Sequence, residues 1–298
     1  MNVLLASNYG VEVQGSTQFY LGTAFLNEGH KLFKARPDHL FHDIKNYNIP
    51  PVDLIMFIEG EVYLNANLHD LSMIKTIPKI MYAIDPHIIL PLQLKWAMDI
   101  KPDIVFVTQK DYINEFEKLG FKTVWLPFAT DPDIFKPYPI KKEYDIGMIG
   151  GLNTIRASFL RDLAEEYNVL VHSSDGGFNL GKCIFINKRT MLHEYAKELS
   201  RCKIGFNKSL GGDLTLRNFE MPSIGLFLIT DRIKNGQEEI FNNDIGLYSS
   251  KDELLSVTKD ALSNFDKTEE SIKYLREKII GNHTYRHRVK TILKETGL

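Results

Sequence analysis

Short apolar runs alternate with longer amphipathic stretches from one end of the chain to the other. Val3–Ala6, Asp53–Ile58, Lys79–Ala83, Ile104–Thr108 and Thr123–Leu126 are nearly continuous in Val, Ile, Leu, Met and Phe, the pattern of parallel strands covered on both faces. Ser16–Asn27, Pro91–Met98 and Lys110–Leu119 carry helical spacing between them, with Gly29 and Gly120 where helix ends are expected. This alternation predicts βαβ units and a parallel sheet. Pro127, Pro132, Pro137 and Pro139 then fall close together before Lys141, Lys142 and Glu143, a composition suited to an interdomain linker. The alternation resumes with a strand over Tyr144–Ile149, a helix over Thr154–Glu166 and a strand over Val169–His172. A helix over Arg189–Arg201, a strand over Lys203–Phe206, a helix over Leu214–Ile224 and a strand over Leu226–Thr230 continue it. Lys251–Leu298 reads as mainly helical with a break near Gly281. The expectation is α/β: two doubly wound domains in tandem, over residues 1–138 and 139–280. A closing helix over 281–298 packs back towards the first, and ligands are taken in a cleft at the strands' carboxyl ends.

Composition narrows the class. The 298 residues are 44% hydrophobic and 25% charged, which excludes disorder, collagen and coiled coil and allows a large core without a staple. Lys and Arg number 36 against 38 Asp and Glu, so the formal charge of −2 makes no bulk demand for nucleic acid. Cys183 and Cys202 form no CxxC and lack zinc spacing; they read as reduced thiols. MNVLLASNYG has no basic region ahead of its short apolar run and reads as a first strand rather than a leader. No stretch approaches the ~18 apolar residues of a membrane span. A cytoplasmic location is expected.

Five segments carry candidate chemistry. After the first strand, Ser7–Gly10 and then Gly15 and Ser16 form a loop where Gly15 permits close backbone approach and Ser16 can cap a helix that faces a ligand. This is not GxGxxG, and an ordinary βα loop is the competing reading. Gly147, Gly150 and Gly151 end the Tyr144 strand and precede Arg156, a backbone that can approach a diphosphate beside a fork of donors. The densest segment is Phe206–Glu220, where Lys208, Gly211 and Gly212 precede a helix expected from Asp213 or Leu214. Arg217 and Glu220 then share a helix face, with Asp213 two turns ahead of Glu220. Acids so placed accept the hydroxyls of a ribose or hexose; a capping Asp213 with a surface Arg217–Glu220 pair is the alternative. Asp85 and His87 follow the KIMYA strand at its carboxyl end and are candidates for a base or for orienting an acceptor hydroxyl. Glu59 and Glu61 hold a similar rim. Asn282–Lys290 combines basic and aromatic residues, suiting a nucleic acid or an anionic donor, or equally a solvated face. No cluster has metal spacing.

Taken in order, AIDP around Asp85-Pro86, LPFATDPDIFKP (Leu126–Pro137), YDIGMIGGLNTIR (Tyr144–Arg156), KIGFNKS with GGDLTLRNFE, LFLITD (Leu226–Asp231) and HTYRHR (His283–Arg288) resemble the CgeB-like glycosyltransferases, relatives of the group 1 glycosyltransferases. The resemblance covers nearly the whole chain and is most specific over RNFE and LFLITD. It implies the GT-B fold, two Rossmann-like doubly wound domains facing a cleft. The second mainly holds a nucleotide-sugar co-substrate and the first mainly the acceptor, with no essential metal and no other cofactor. By position, Glu220 resembles the carboxylate that holds the donor ribose, and Arg156 and Lys208 the diphosphate contacts. Gly150, Gly151, Gly212, Asp213 and Arg217 complete the expected donor set, with Gly15 and Ser16 on an acceptor-side loop. Two departures stand out. Asp213 is one residue closer to Glu220 than the paired glutamates of group 1 enzymes, and Ile84 stands where the family often has a second aspartate before the proline. The expected activity is metal-independent hexosyl or pentosyl transfer to a hydroxyl on a glycan, a metabolite or a hydroxylated DNA base, the last unsupported by net charge. A nucleotide-sugar epimerase or hydrolase, or a non-catalytic nucleotide-sugar-binding protein, are the alternatives.

Overall fold

Apart from the partly exposed edge strand over Thr123–Trp125, the apolar runs form strands buried on both faces, as their lack of alternation requires. The computed structural model describes residues 1–7, 11–35, 40, 50–58 and 72–298. The chain divides into two compact units, one joining Met1–Phe128 to Tyr285–Leu298 and the other formed by Ala129–Thr284.

The first unit contains β1 (Asn2–Ala6), α1 (Thr17–Asn27), β2 (Lys31–Ala35), β3 (Leu54–Ile58), β4 (Lys79–Ala83), α2 (Pro86–Ile100), β5 (Ile104–Val107), α3 (Ile113–Glu117) and β6 (Thr123–Trp125). Its strands pair in parallel in the order β2-β1-β3-β4-β5-β6. Every residue of β3 and β4 is buried. Trp96, Ala97 and Ile100 of α2 and Phe116 of α3 join Leu4, Ile55, Phe57, Met81 and Val105 in one core.

Three local expectations change here. β2 is an edge strand whose exposed Lys31 and Lys34 break the apolar pattern that would have announced it. α2 begins at Pro86 rather than Pro91, because a proline at the first helical position gives up an N–H that has no partner there. Pro91 instead lies inside the helix, and Ile89 leaves helical geometry two residues before it. Lys110–Leu119 is a 3₁₀ turn over Lys110–Tyr112 followed by the short α3. From the other end of the chain, the helix Tyr285–Thr296 belongs to this unit, with Tyr285 stacked on Tyr20 at 5.3 Å. Arg288 is neither a ligand-facing nor a solvated base. It is buried, and Nε and Nη2 donate to the carbonyls of Pro127 (2.7 Å) and Phe128 (2.8 Å).

The second unit runs β7 (Tyr144–Ile149), α4 (Thr154–Leu163), β8 (Val169–Ser173), β9 (Ile184–Asn187), α5 (Leu192–Leu199), β10 (Cys202–Phe206), α6 (Arg217–Ile224), β11 (Phe227–Asp231), α7 (Gln237–Phe241), β12 (Gly246–Tyr248), α8 (Lys251–Ser263) and α9 (Phe265–Asn282). All pairs are parallel, in the order β12-β11-β10-β7-β8-β9. Counted within the unit from β9, this is the 3-2-1-4-5-6 order of a doubly wound Rossmann sheet, with its reversal between β7 and β10. The short β12 and α7 and the half-exposed edge strand β9 carry too few buried residues to show in the sequence pattern. The helical C-terminal stretch breaks near Gly281 as expected, at His283–Thr284, and has a further break at Asn264.

Gly147 of β7 lies opposite Gly205 of β10, and both admit close-packed side chains. A Cβ on Gly147 would stand 2.5 Å from Cys202 Sγ and 2.9 Å from Leu199 Cδ2, and one on Gly205 would stand 2.7 Å from Met221 Sδ. Gly147→Ala therefore overpacks the core and lowers stability by about 1–3 kcal/mol. Urea unfolding checks this; a wild-type midpoint with an unchanged slope would refute the close-packing account.

Candidate functional site

Ligands of doubly wound sheets bind beyond the carboxyl ends of the strands, where the strand order reverses. In the second unit that point is shared by the loops after β7 and β10. The first loop leaves β7 through Gly150, at φ 140, and is pinned by Leu152 N, which donates to Asp175 Oδ2 at 2.8 Å. Asn153 then caps α4, its Oδ1 accepting Arg156 N at 2.8 Å.

The second loop is held by its own polar side chains. Asp231, at the end of β11, accepts Ser209 N at 2.7 Å, the Ser209 hydroxyl, and Lys208 Nζ at 2.7 Å. Asp213 folds back so that Oδ1 accepts Leu210 N (3.1 Å) and Gly211 N (3.2 Å). Gly212 N donates to Ser209 Oγ at 3.2 Å, and Asn235 Nδ2 donates to Gly212 O at 2.6 Å. Asn218 Oδ1 takes both Thr215 N (2.9 Å) and the Thr215 hydroxyl (3.0 Å). These side chains satisfy amides that a helix would otherwise use, so α6 starts at Arg217 and not at Asp213 or Leu214. Asp213 is a loop residue, not one two turns ahead of Glu220 on the same helix.

Four charged side chains meet here. Arg156 is 4% exposed and turned inward. Nε and Nη2 donate to Lys208 O at 2.9 and 2.8 Å, and Nη1 donates to Gly151 O at 2.7 Å. Burial, with Arg217 nearby, lowers its pKa to about 10 against the pull of Asp213 and Asp231, so it stays charged at neutral pH. Lys208 is paired with Asp231. Arg217 is half-buried, and its Nε donates to Ile149 O at 2.9 Å. Glu220, one helical turn further on, is 6% exposed. Burial pushes its carboxyl up to about 7, opposed by Arg217 and by the Tyr195 hydroxyl.

The structure thus brings Gly150, Gly151, Arg156, Lys208, Gly212, Asp213, Arg217 and Glu220 to the two loops and the helix at one switch point. Asp231 and Tyr195 belong to the same assembly and were not singled out from sequence. Asp231 had a signal, its place at the end of the LFLITD strand; Tyr195 had none, since it reaches Glu220 from α5.

In the first unit, Gly15 at φ 80 precedes Ser16, whose hydroxyl donates to Val13 O (2.7 Å) and accepts Phe19 N (3.0 Å) as the cap of α1. Asn8, Tyr9 and Gly10, like Glu59 and Glu61, lie outside the described residues. Asp85 closes β4 in the left-handed region (φ 50, ψ 46) and does not cap α2, while half-buried His87 sits in that helix's first turn rather than in a free turn. On the neighbouring strand ends, Trp125 Nε1 donates to Thr108 O at 3.3 Å, and Lys110 Nζ lies 5.2 Å from the Trp125 ring centroid.

Residues 156–294, just under half of the chain, match a family model described as glycosyl transferase-like. Curated protein sequences yield no match. Among solved structures, the sucrose-phosphate synthase of Thermosynechococcus elongatus is similar with a TM-score of 0.71 and 12% identity, over 99% of this chain and 97% of that one. Anabaena HepE in complex with UDP-glucose follows at 0.69 and 12%, over 100% and 99%. T4 phage β-glucosyltransferase gives 0.66 and 12%, over the full length of both. At such identities the likeness is one of fold. Two six-stranded parallel sheets with flanking helices make that fold GT-B, residues 156–294 are similar to the glycosyl transferase-like model, and sugar transfer is the function these findings support.

Proposed function

We propose that the chain is a glycosyltransferase that moves a hexose or pentose from a nucleoside diphosphate to an acceptor hydroxyl without a metal, in the manner of the CgeB-like enzymes it resembles. The observation that carries this reading is Glu220, a buried carboxylate one turn inside α6 at the switch point, with Arg217 beside it. A buried acid in that place needs hydrogen-bond donors, and the vicinal hydroxyls of a ribose supply two. The loop amides around Gly150–Gly151 and Gly211–Gly212, with the nearby cations, stabilise the departing diphosphate. The solved structures of Anabaena HepE and T4 phage β-glucosyltransferase with UDP-glucose support a nucleotide-sugar donor. On the first unit, Asp85 and His87 take the acceptor side, one of them accepting the hydroxyl proton. The acceptor itself is a glycan, a metabolite or a hydroxylated base; the charge of −2 lends the last no support. Product analysis separates transfer from epimerisation or donor hydrolysis, and the absence of any turnover would mark a binding protein.

Replacing Glu220 with Gln weakens binding of the matching nucleoside diphosphate by about 1–3 kcal/mol, the cost of spoiling a charged hydrogen bond. Calorimetry on the folded variant checks this; unchanged affinity would remove Glu220 from the ribose. The pH dependence has a definite sign. The carboxyl titrates near 7 in the free protein, and ribose hydroxyls favour its charged form, so binding releases a proton and affinity rises from pH 6 to 8. In Glu220→Gln that part of the rise is absent, while the titration of the nucleotide's own phosphates is common to both proteins.

Chelator leaves turnover intact, because cations of the chain face the leaving group. Loss of activity on chelation, restored by magnesium or manganese, would overturn the metal-free scheme.

Asp85→Ala or His87→Ala slows transfer by about 10²–10⁴-fold with little change in nucleotide affinity. Wild-type transfer rates in both variants would make this stretch structural, and joint loss of nucleotide binding would move it to the sugar.

A further inference from the structure

The three cations at the switch point are not equivalent. Arg156 has three N–H groups on two backbone carbonyls, Lys208 O from the loop after β10 and Gly151 O from the loop after β7. Lys208 Nζ is held by Asp231, which the Ser209 amide and hydroxyl hold in turn. Arg217 uses only Nε, on Ile149 O; its two Nη groups have no partner among the described residues. A space kept for it is visible in the backbone. Gly150 adopts φ 140, and a Cβ built there would stand 1.9 Å from Arg217 Nη2 and 2.8 Å from its Cζ. The guanidinium therefore lies over the glycine, where any other residue would displace it. A left-handed φ and a clash with a planar charged group are two independent reasons for glycine at one position.

We propose that Arg156 is a positioning residue, which fastens the two loops to each other and does not touch the diphosphate, and that Arg217, seated on Gly150, is the cation that takes it. The inference rests on the donor-site reading above and refines it. It reverses the assignment that the family resemblance implies for Arg156. The physical ground is the count of donors. A guanidinium has five N–H groups in a rigid fork; the Nε–Nη2 edge of Arg156 is taken by Lys208 O and Nη1 donates to Gly151 O, on a side chain only 4% exposed, so three donors are committed to the chain and little of the group is open to a phosphate. Arg217 retains both Nη groups, the edge that matches two phosphate oxygens.

The test separates positioning from contact by discrimination between nucleotides. Wild-type protein is titrated with uridine, guanosine, adenosine, cytidine and thymidine diphosphates, and then with the monophosphate of whichever binds. A residue on the diphosphate sets the ratio of those two affinities; a residue that only positions loops lowers both together. Arg217→Gln is expected to cut the diphosphate preference tenfold or more. Gly150→Ala, which keeps both arginines in the chain but displaces the Arg217 guanidinium, is expected to reproduce that loss. Arg156→Met is expected to weaken both nucleotides about tenfold at an unchanged ratio. Arg156→Lys is expected to do the same, because an ammonium keeps the charge but cannot bridge both carbonyls. Recovery of affinity in Arg156→Lys, or loss of the preference in Arg156→Met, would show that its charge meets the phosphates and overturn the proposal. So would unchanged affinity in folded Arg156→Met, or a preserved preference in both Gly150→Ala and Arg217→Gln. Failure of the wild type to bind any of the five diphosphates would remove the donor-site reading itself, and this refinement with it. Should Arg156→Met not fold, the Gly150→Ala and Arg156→Lys arms decide the matter.

Discussion

The candidate site of the second unit depends on one buried guanidinium. Adjacent parallel strands bring their ends to within about 5 Å of each other, but nothing in a sheet dictates how the loops beyond them meet. Arg156 supplies that, with N–H groups on the carbonyls of Lys208 and Gly151. Hydrogen bonds from an ionised donor are roughly twice as strong as neutral ones, and a planar fork fixes direction as well as distance. Burial disfavours its charge, yet a pKa near 10 leaves it fully protonated at neutral pH. Asp213 and Asp231 offset part of that burial cost, and both also accept amides of the loop that Arg156 anchors.

The same carboxylates therefore act on charge and on backbone at once. Asp231 ties Lys208 and Ser209 to the end of β11. Asp213 gathers Leu210 N and Gly211 N into a tight turn. Glu220 is different in kind. Its burial is balanced by Arg217 and Tyr195 only in part, which leaves it close to its midpoint at neutral pH. Two acids are engaged by the loop, and a third is held in reserve behind it.

In the first unit the corresponding device is a proline. Pro86 opens α2 directly after β4, and Asp85 before it adopts a left-handed conformation that a residue other than glycine seldom adopts. Such backbone strain of about 1–3 kcal/mol persists where surrounding structure over-determines it, and it is common at functional sites. The helix thus starts at the rim itself, which places His87 in a regular turn. Arg288 plays a supporting part in the same unit. Its bonds to Pro127 O and Phe128 O tie the C-terminal helix to the chain just beyond β6.

Parallel strands buried on both faces were legible because their hydrophobicity is continuous, and linking helices because their spacing is helical. Tandem α/β folding, the glycines after β7 and the charged cluster before RNFE were therefore plain from residue order alone. Elements with few buried positions were not: β2 carries exposed lysines, and β9 lies half-exposed at a sheet edge. Helix starts were also misplaced wherever a polar side chain or proline competes with the backbone, as Asp213 and Asn218 do before α6 and Pro86 does before α2. Residue type determined that arginines would gather at the switch point. Only the tertiary structure decided which way each one faces, because the carbonyl that takes Arg156 Nε and Nη2 belongs to Lys208, 52 residues away in the chain. Hydrogen-bond partners that distant have no signature in local composition, and they alone set the difference between a strut and a ligand.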